Sequence, residues 1–67
     1  MKKKYYVNEK AQENGDHEIH VNGCEYFPSS AKYLGEFEDC DDATEEAEEH
    51  YDQVNGCYYC NNDCHTT

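Results

Sequence analysis

The sequence predicts one small α+β domain over residues 1–67: an antiparallel sheet of about three strands, one acidic helix and a Cys-rich C-terminal knuckle stapled by zinc. Three observations carry that reading. Before residue 39, apolar and polar residues alternate in three short stretches, the period of half-buried strands. From Asp39 onward they recur every three or four residues, the period of a helix. Finally, Cys57-x2-Cys60, with Cys64 and His65 just beyond, has the spacing at which two thiolates grip one tetrahedral ion.

The first strand is expected over Lys3 to Val7, with Tyr5 and Val7 on one side and Tyr6 on the other. Asn14-Gly15 is a strong turn signal. Beyond it Ile19 and Val21 alternate with Glu18, His20 and Asn22, so a second strand closes a hairpin on the first. Asn22-Gly23 ends that strand and presents Cys24. Tyr33 to Glu38 reads as a short third strand, and Gly35 marks a bulge or close backbone approach within it. The helix then carries Cys40, Ala43, Ala47, Tyr51 and Val54 as one narrow stripe, capped by Asp39 or Asp41. Its far half is poorly made for a free helix. Glu45 and Glu49 are like charges four apart, and Glu48, Glu49 and Asp52 lie near the negative end of the dipole. Asn55-Gly56 is the expected stop.

Such a chain needs a staple. Its aliphatic and phenylalanine complement is only Val7, Ile19, Val21, Phe27, Leu34, Phe37 and Val54, supplemented by seven tyrosines. Small, highly charged domains of this kind bury too little apolar surface to fold unaided. No apolar run follows the N-terminal lysines, so neither a signal peptide nor a membrane span is expected, and the expected compartment is the cytoplasm. Clustered cysteines there hold metal more often than each other, and five cysteines cannot all pair within one chain.

The ligands follow from an internal echo. Val21-Asn22-Gly23-Cys24 is answered by Val54-Asn55-Gly56-Cys57, each with an Asn-Gly pair that tolerates positive φ and brings a cysteine to its tip. The expected ligands of a structural zinc are therefore Cys24, Cys57 and Cys60, with His20 as the fourth and His65 or Cys64 as alternatives. His20 alternates to the face opposite Ile19 and Val21, so its strand must twist or end early for the ring to reach. Cys40 reads as a small core residue, and His17 and His50 as surface or packing histidines.

At these residues the chain resembles a group of small bacterial proteins without an assigned activity. The shared pattern is Gly15-Asp16-His17-Glu18-x-His20, Gly23-Cys24, Tyr33-Leu34-Gly35-x-Phe37, Cys40, Ala43, Ala47, Gly56-Cys57-x2-Cys60 and Cys64-His65. More remotely, His20-x3-Cys24 with Cys57-x2-Cys60 is similar to the zinc module of Ada-type alkylation-response proteins. The resemblance implies a zinc site. In that family the leading position is an alkyl-accepting cysteine, and His20 stands there here, which argues against alkyl transfer.

Function is read from charge and from what is missing. Residues 1–32 hold five lysines and five acids, whereas residues 33–67 hold eleven acids and no Lys or Arg, so the net charge of −11 lies in the second half. That field repels nucleic acid and acidic membranes and suits a basic protein surface. Enzymatic chemistry is not expected. Four thiolate or imidazole ligands leave a metal no open position for water. No Ser-His-acid set or Gly-rich phosphate loop is present, and Cys57-Tyr58-Tyr59-Cys60 lacks the βαβ setting of a thioredoxin site. The leading expectation is a non-enzymatic, zinc-stabilised interaction module that presents Glu38, Asp41, Asp42, Glu45, Glu48, Glu49 and Asp52 to a basic partner. The alternatives are a nucleic-acid mimic, in which these carboxylates occlude the channel of a DNA- or RNA-binding protein such as a phage-defence component, and a thiol-redox or metal-responsive switch using Cys40 and Cys64.

Overall fold

The computed structural model describes residues 1–66. The elements run β1 (Lys3–Asn8), β2 (His17–Val21), β3 (Ala31–Phe37), α1 (Cys40–Glu48) and β4 (Val54–Gly56), followed by a 3-10 turn at Asn62–Cys64. The fold is α+β, as the change of period predicts, but the sheet has four strands in the order β3-β1-β2-β4. β1 is central to an antiparallel meander, paired with β2 on one side and β3 on the other. The fourth strand makes the sheet mixed, because β4 runs parallel to β2 with Val54 opposite His17 and Gly56 opposite Ile19.

β1 behaves as its alternation requires. Tyr5 and Val7 are buried toward the helix, while Tyr6 pairs with His20 across the ladder. The bulge lies where Gly35 forecasts it: the β1–β3 register slips between Tyr5 and Tyr6, opposite Leu34, and Gly35 has φ of +128°. That backbone is strained for any L side chain. α1 packs Cys40, Ala43 and Ala47 onto Tyr5, Val7, Ile19 and Leu34, and the small residues let the helix lie close against the sheet.

The helix is shorter than its apolar stripe. Asp39 caps it by accepting the Asp42 N–H at 3.1 Å, but the last helical residue is Glu48. Tyr51 and Val54 continue the spacing from outside the helix and still pack against the core. The physical reason lies in the acids: the last turn holds no basic residue, and carboxylates there face the negative end of the dipole. Tyr51 is held instead by stacking on His17, with ring centroids 3.9 Å apart. Among the described residues no helix is long and apolar enough to cross a membrane.

Asp16 ties β4 to the first hairpin. It is buried, and its carboxylate accepts from Gln53 Nε2 at 2.7 Å, Asn14 Nδ2 at 3.1 Å and Asn55 Nδ2 at 3.2 Å. These donors, Gln53 first, hold its carboxyl below the usual range against the opposing effect of burial.

Candidate metal centre

The parallel pairing of β4 with β2 sets up the site. Cys57 follows Gly56, and its N–H donates to Ile19 O at 2.9 Å, which brings its side chain beside His20. From there a tight turn runs to Cys60, closed by Asn61 N–H to Cys57 O at 2.9 Å and pinned by Asn61 Nδ2 to Ile19 O at 2.7 Å. At the other end of β2, Gly23 takes φ of +91° and turns the chain so that Cys24 comes back over the strand. One ligand atom each from His20, Cys24, Cys57 and Cys60 then lies within 4.8 Å of every other.

The distances suit one tetrahedral ion. Cys24 Sγ is 3.9 Å from Cys57 Sγ, and Cys60 Sγ is 3.9 Å from His20 Nδ1. A tetrahedron built on ordinary Zn–S and Zn–N bond lengths has edges of roughly 3.5–3.8 Å. His20 needs no twist of β2 to take part, because the cluster forms on the sheet face to which the residue already points. Its ring is 1 % exposed and sits beside Tyr6 and Phe27.

The surroundings resemble a ligand shell in two further ways. His20 Nδ1 faces the sulfurs while Nε2 lies 3.3 Å from Glu18 Oε1, so a carboxylate orients the ring from behind. Two sulfurs accept backbone N–H groups: Cys60 from Val21 at 3.4 Å, and Cys24 from Tyr26 at 3.4 Å. Such donors favour thiolate over thiol. Electrostatics within the protein alone run the other way. Burial, followed by the contact with Cys24, pushes the Cys60 thiol up to about 12, and burial lowers the His20 pKa against the pull of Glu18. A cation that takes the place of the Cys60 proton reverses that balance, and a neutral His20 is already in the form that ligates a metal. The Cys/His group can hold a metal ion.

The remaining candidates lie elsewhere. Cys64 is joined to Cys40 in a disulfide, with Cα atoms 6.2 Å apart, and its sulfur lies near Asp41 at the start of α1. Metal is the staple expected over disulfides, and this chain combines a disulfide with a Cys/His cluster. The pairing uses up the fifth-cysteine problem by leaving three thiols free, Cys24, Cys57 and Cys60. His65 turns away to Gly56 O, 2.9 Å from Nδ1, and meets Tyr58 edge-on. Of the acidic set, Asp42, Glu45 and Glu49 line an open groove of about 710 Å³ with Glu46, His50 and Phe37. Glu38 lies in another cleft beside Asp39 and Asp63, while Asp41, Glu48 and Asp52 are exposed outside that groove.

Sequence reasoning missed Glu18, Asn61 and Asp16 as supports of the site. Only Glu18 leaves a signal: it stands two residues before His20 on a strand and so shares its face. No family model, characterised protein or solved structure matches the chain. These comparisons give no support to the expected likeness to the Ada-type module.

Proposed function

We propose that the chain is a non-enzymatic, zinc-stabilised interaction module, with His20, Cys24, Cys57 and Cys60 as ligands and the acidic face of α1 as the surface for a basic protein. The observation that carries the reading is the convergence of these four side chains from two distant segments, with Glu18 fixing the fourth ligand. Imidazole and thiolate donors in a tetrahedral set suit zinc, and four of them close its coordination sphere to water. A structural site of this kind supplies roughly 10–16 kcal/mol of apparent binding energy, large against what so small a core provides. The partner surface follows from charge: Asp42, Glu45, Glu46 and Glu49 face one groove in a chain of net charge −11.

Elemental analysis of untagged protein purified without chelators under reducing conditions tests the premise. One zinc per chain is expected, and a ratio near zero removes it. Capture of partners with the native chain and with Glu45, Glu48 and Glu49 changed to Gln tests the surface. Loss of the basic partner with retained fold is expected. Competition by DNA for that partner separates a nucleic-acid mimic from a plain docking module.

The Cys40–Cys64 disulfide favours a second reading, a redox-responsive module. A dithiol reductant passes two electrons to the bridge, becomes a disulfide itself, and leaves two thiols on the chain. Mass spectrometry of reduced, zinc-loaded protein after mild oxidation is expected to map a bridge to Cys40 and Cys64. Absence of any bridge at either residue disposes of this reading.

A further inference from the structure

Among the described residues, the exposed large apolar side chains other than Met1 are all aromatic: Tyr26, Phe27, Tyr33, Tyr58 and Tyr59. Three of them form one assembly. Tyr26 stacks on Tyr59 with centroids 4.1 Å apart and planes at 24°, and Tyr58 meets Tyr59 edge-on at 5.2 Å. Their backbone is tied to the Cys/His cluster. Tyr58 and Tyr59 are the two residues between Cys57 and Cys60, and the Tyr26 N–H donates to Cys24 Sγ. The stack is thus held in place without being buried; Tyr59 is 65 % exposed.

Carboxylates stand on both sides of it. A cleft of about 220 Å³ beside the stacked pair is lined by Tyr26, Tyr59, Cys24 and Cys60, with Glu25 on its wall. A second cleft, of about 320 Å³, shares Tyr59 and carries Glu38, Asp39 and Asp63 together with Lys3. Aromatic faces flanked by acids suit one cation better than the other. Guanidinium is planar and weakly hydrated and stacks on rings while its edge bonds carboxylates, whereas ammonium is a compact, strongly hydrated charge.

We propose that this tyrosine stack docks an arginine-bearing basic segment of a protein partner. The proposal rests on the reading that the partner is basic, and it places the selective contact at the metal knuckle and not on α1. The test is a titration of the zinc-loaded full chain with an arginine peptide and a lysine peptide of equal length at one fixed ionic strength. The arginine peptide is expected to bind about two- to fivefold tighter. Tyr59→Ala is expected to bring that ratio to about one, and Tyr59→Phe to keep it, since a phenyl ring also attracts the cation. Changing Glu45, Glu48 and Glu49 to Gln is expected to weaken both peptides alike and leave the ratio intact. Equal binding of the two peptides by the native chain, or a ratio that survives Tyr59→Ala, overturns the proposal while leaving the basic-partner reading in place. Failure of both peptides to bind overturns both.

Discussion

Removing the carboxylate of Glu18 tests the metal centre without touching a ligand. Glu18 Oε1 lies 3.3 Å from His20 Nε2, and the His20 ring is 1 % exposed, so this carboxylate is the partner the fold places against that buried nitrogen. The carboxylate does two things for a ligating Nδ1: it holds the proton on Nε2, and it raises the basicity of the ring. Loss of such an outer partner costs about 10- to 100-fold in metal affinity, or roughly 1.4–2.7 kcal/mol. Glu18→Gln keeps an acceptor oxygen and loses only the charge, so it belongs near the tenfold end. Glu18→Ala leaves the buried N–H without a partner and belongs near the hundredfold end. Competition with a chromophoric chelator at pH 7 measures both, and circular dichroism of the loaded proteins checks that the fold is kept. Affinities of Glu18→Ala and native protein that agree within twofold would refute ligation through Nδ1.

Asp16→Asn is expected to destabilise the loaded domain by about 1–3 kcal/mol in urea denaturation, because Gln53, Asn14 and Asn55 lose a charged acceptor. Its pH dependence has a definite sign. The folded carboxyl titrates below its unfolded value, so its stabilisation is present above about pH 4 and is lost as pH falls through the folded pKa, and Asp16→Asn is expected to flatten that acid limb. Gly56→Ala places a Cβ 2.7 Å from Asn61 O and 2.9 Å from the Cys64 backbone carbon, so the knuckle has to move; a loss of about 1–3 kcal/mol is expected by thermal denaturation. Reduction of Cys40–Cys64, which are 24 residues apart, returns loop entropy to the unfolded chain and so costs the fold at most about 3.5 kcal/mol. The measured loss should be smaller in zinc-loaded than in zinc-free protein, since the ion already ties residues 57 and 60 to β2. Equal losses in both forms would argue that the two staples are independent.

Much of the fold was legible because local pattern and tertiary structure agree. Tyr5, Val7 and Ile19 alternate onto the core as written, and Asp39 caps the helix. The four Cys and His side chains also meet, though not for the reason the repeated Val-Asn-Gly-Cys suggests. Only the first copy is a turn, with Gly23 at φ of +91°; the second is strand β4, and its glycine is required by the close approach of Asn61 and Cys64 and not by a positive φ. A three-residue strand of Val, Asn and Gly has no local preference for extended structure, and it forms because β2 offers an open edge some forty residues earlier in the chain. Tyr51 and Val54 misled for a related reason: a side chain can keep facing the core after the backbone has left the helix. Nor can spacing reveal that Cys40 pairs with Cys64, since any two of five cysteines are equally eligible until the fold brings their Cα atoms together.

The two staples divide the molecule in a way that bears on function. The Cys/His cluster joins the β2 hairpin to the knuckle, and the disulfide joins the knuckle to the first residue of α1. Both meet around Gly56 and Cys64, so the N-terminal end of the helix is tied to the ligand-bearing segment. Its C-terminal end is not. There Glu46, Glu48 and Glu49 crowd the negative end of the dipole, and the last turn of the helix holds no basic residue. A helix anchored at one end and electrostatically discouraged at the other gains most from a cation brought to its open end. Neutralising Glu45, Glu48 and Glu49 should therefore raise the helix content of the free chain slightly while abolishing what a basic partner adds to it. Circular dichroism with and without the arginine peptide reads both changes, and a fall in helix content of the neutralised free chain would show that these acids serve the fold and not a partner.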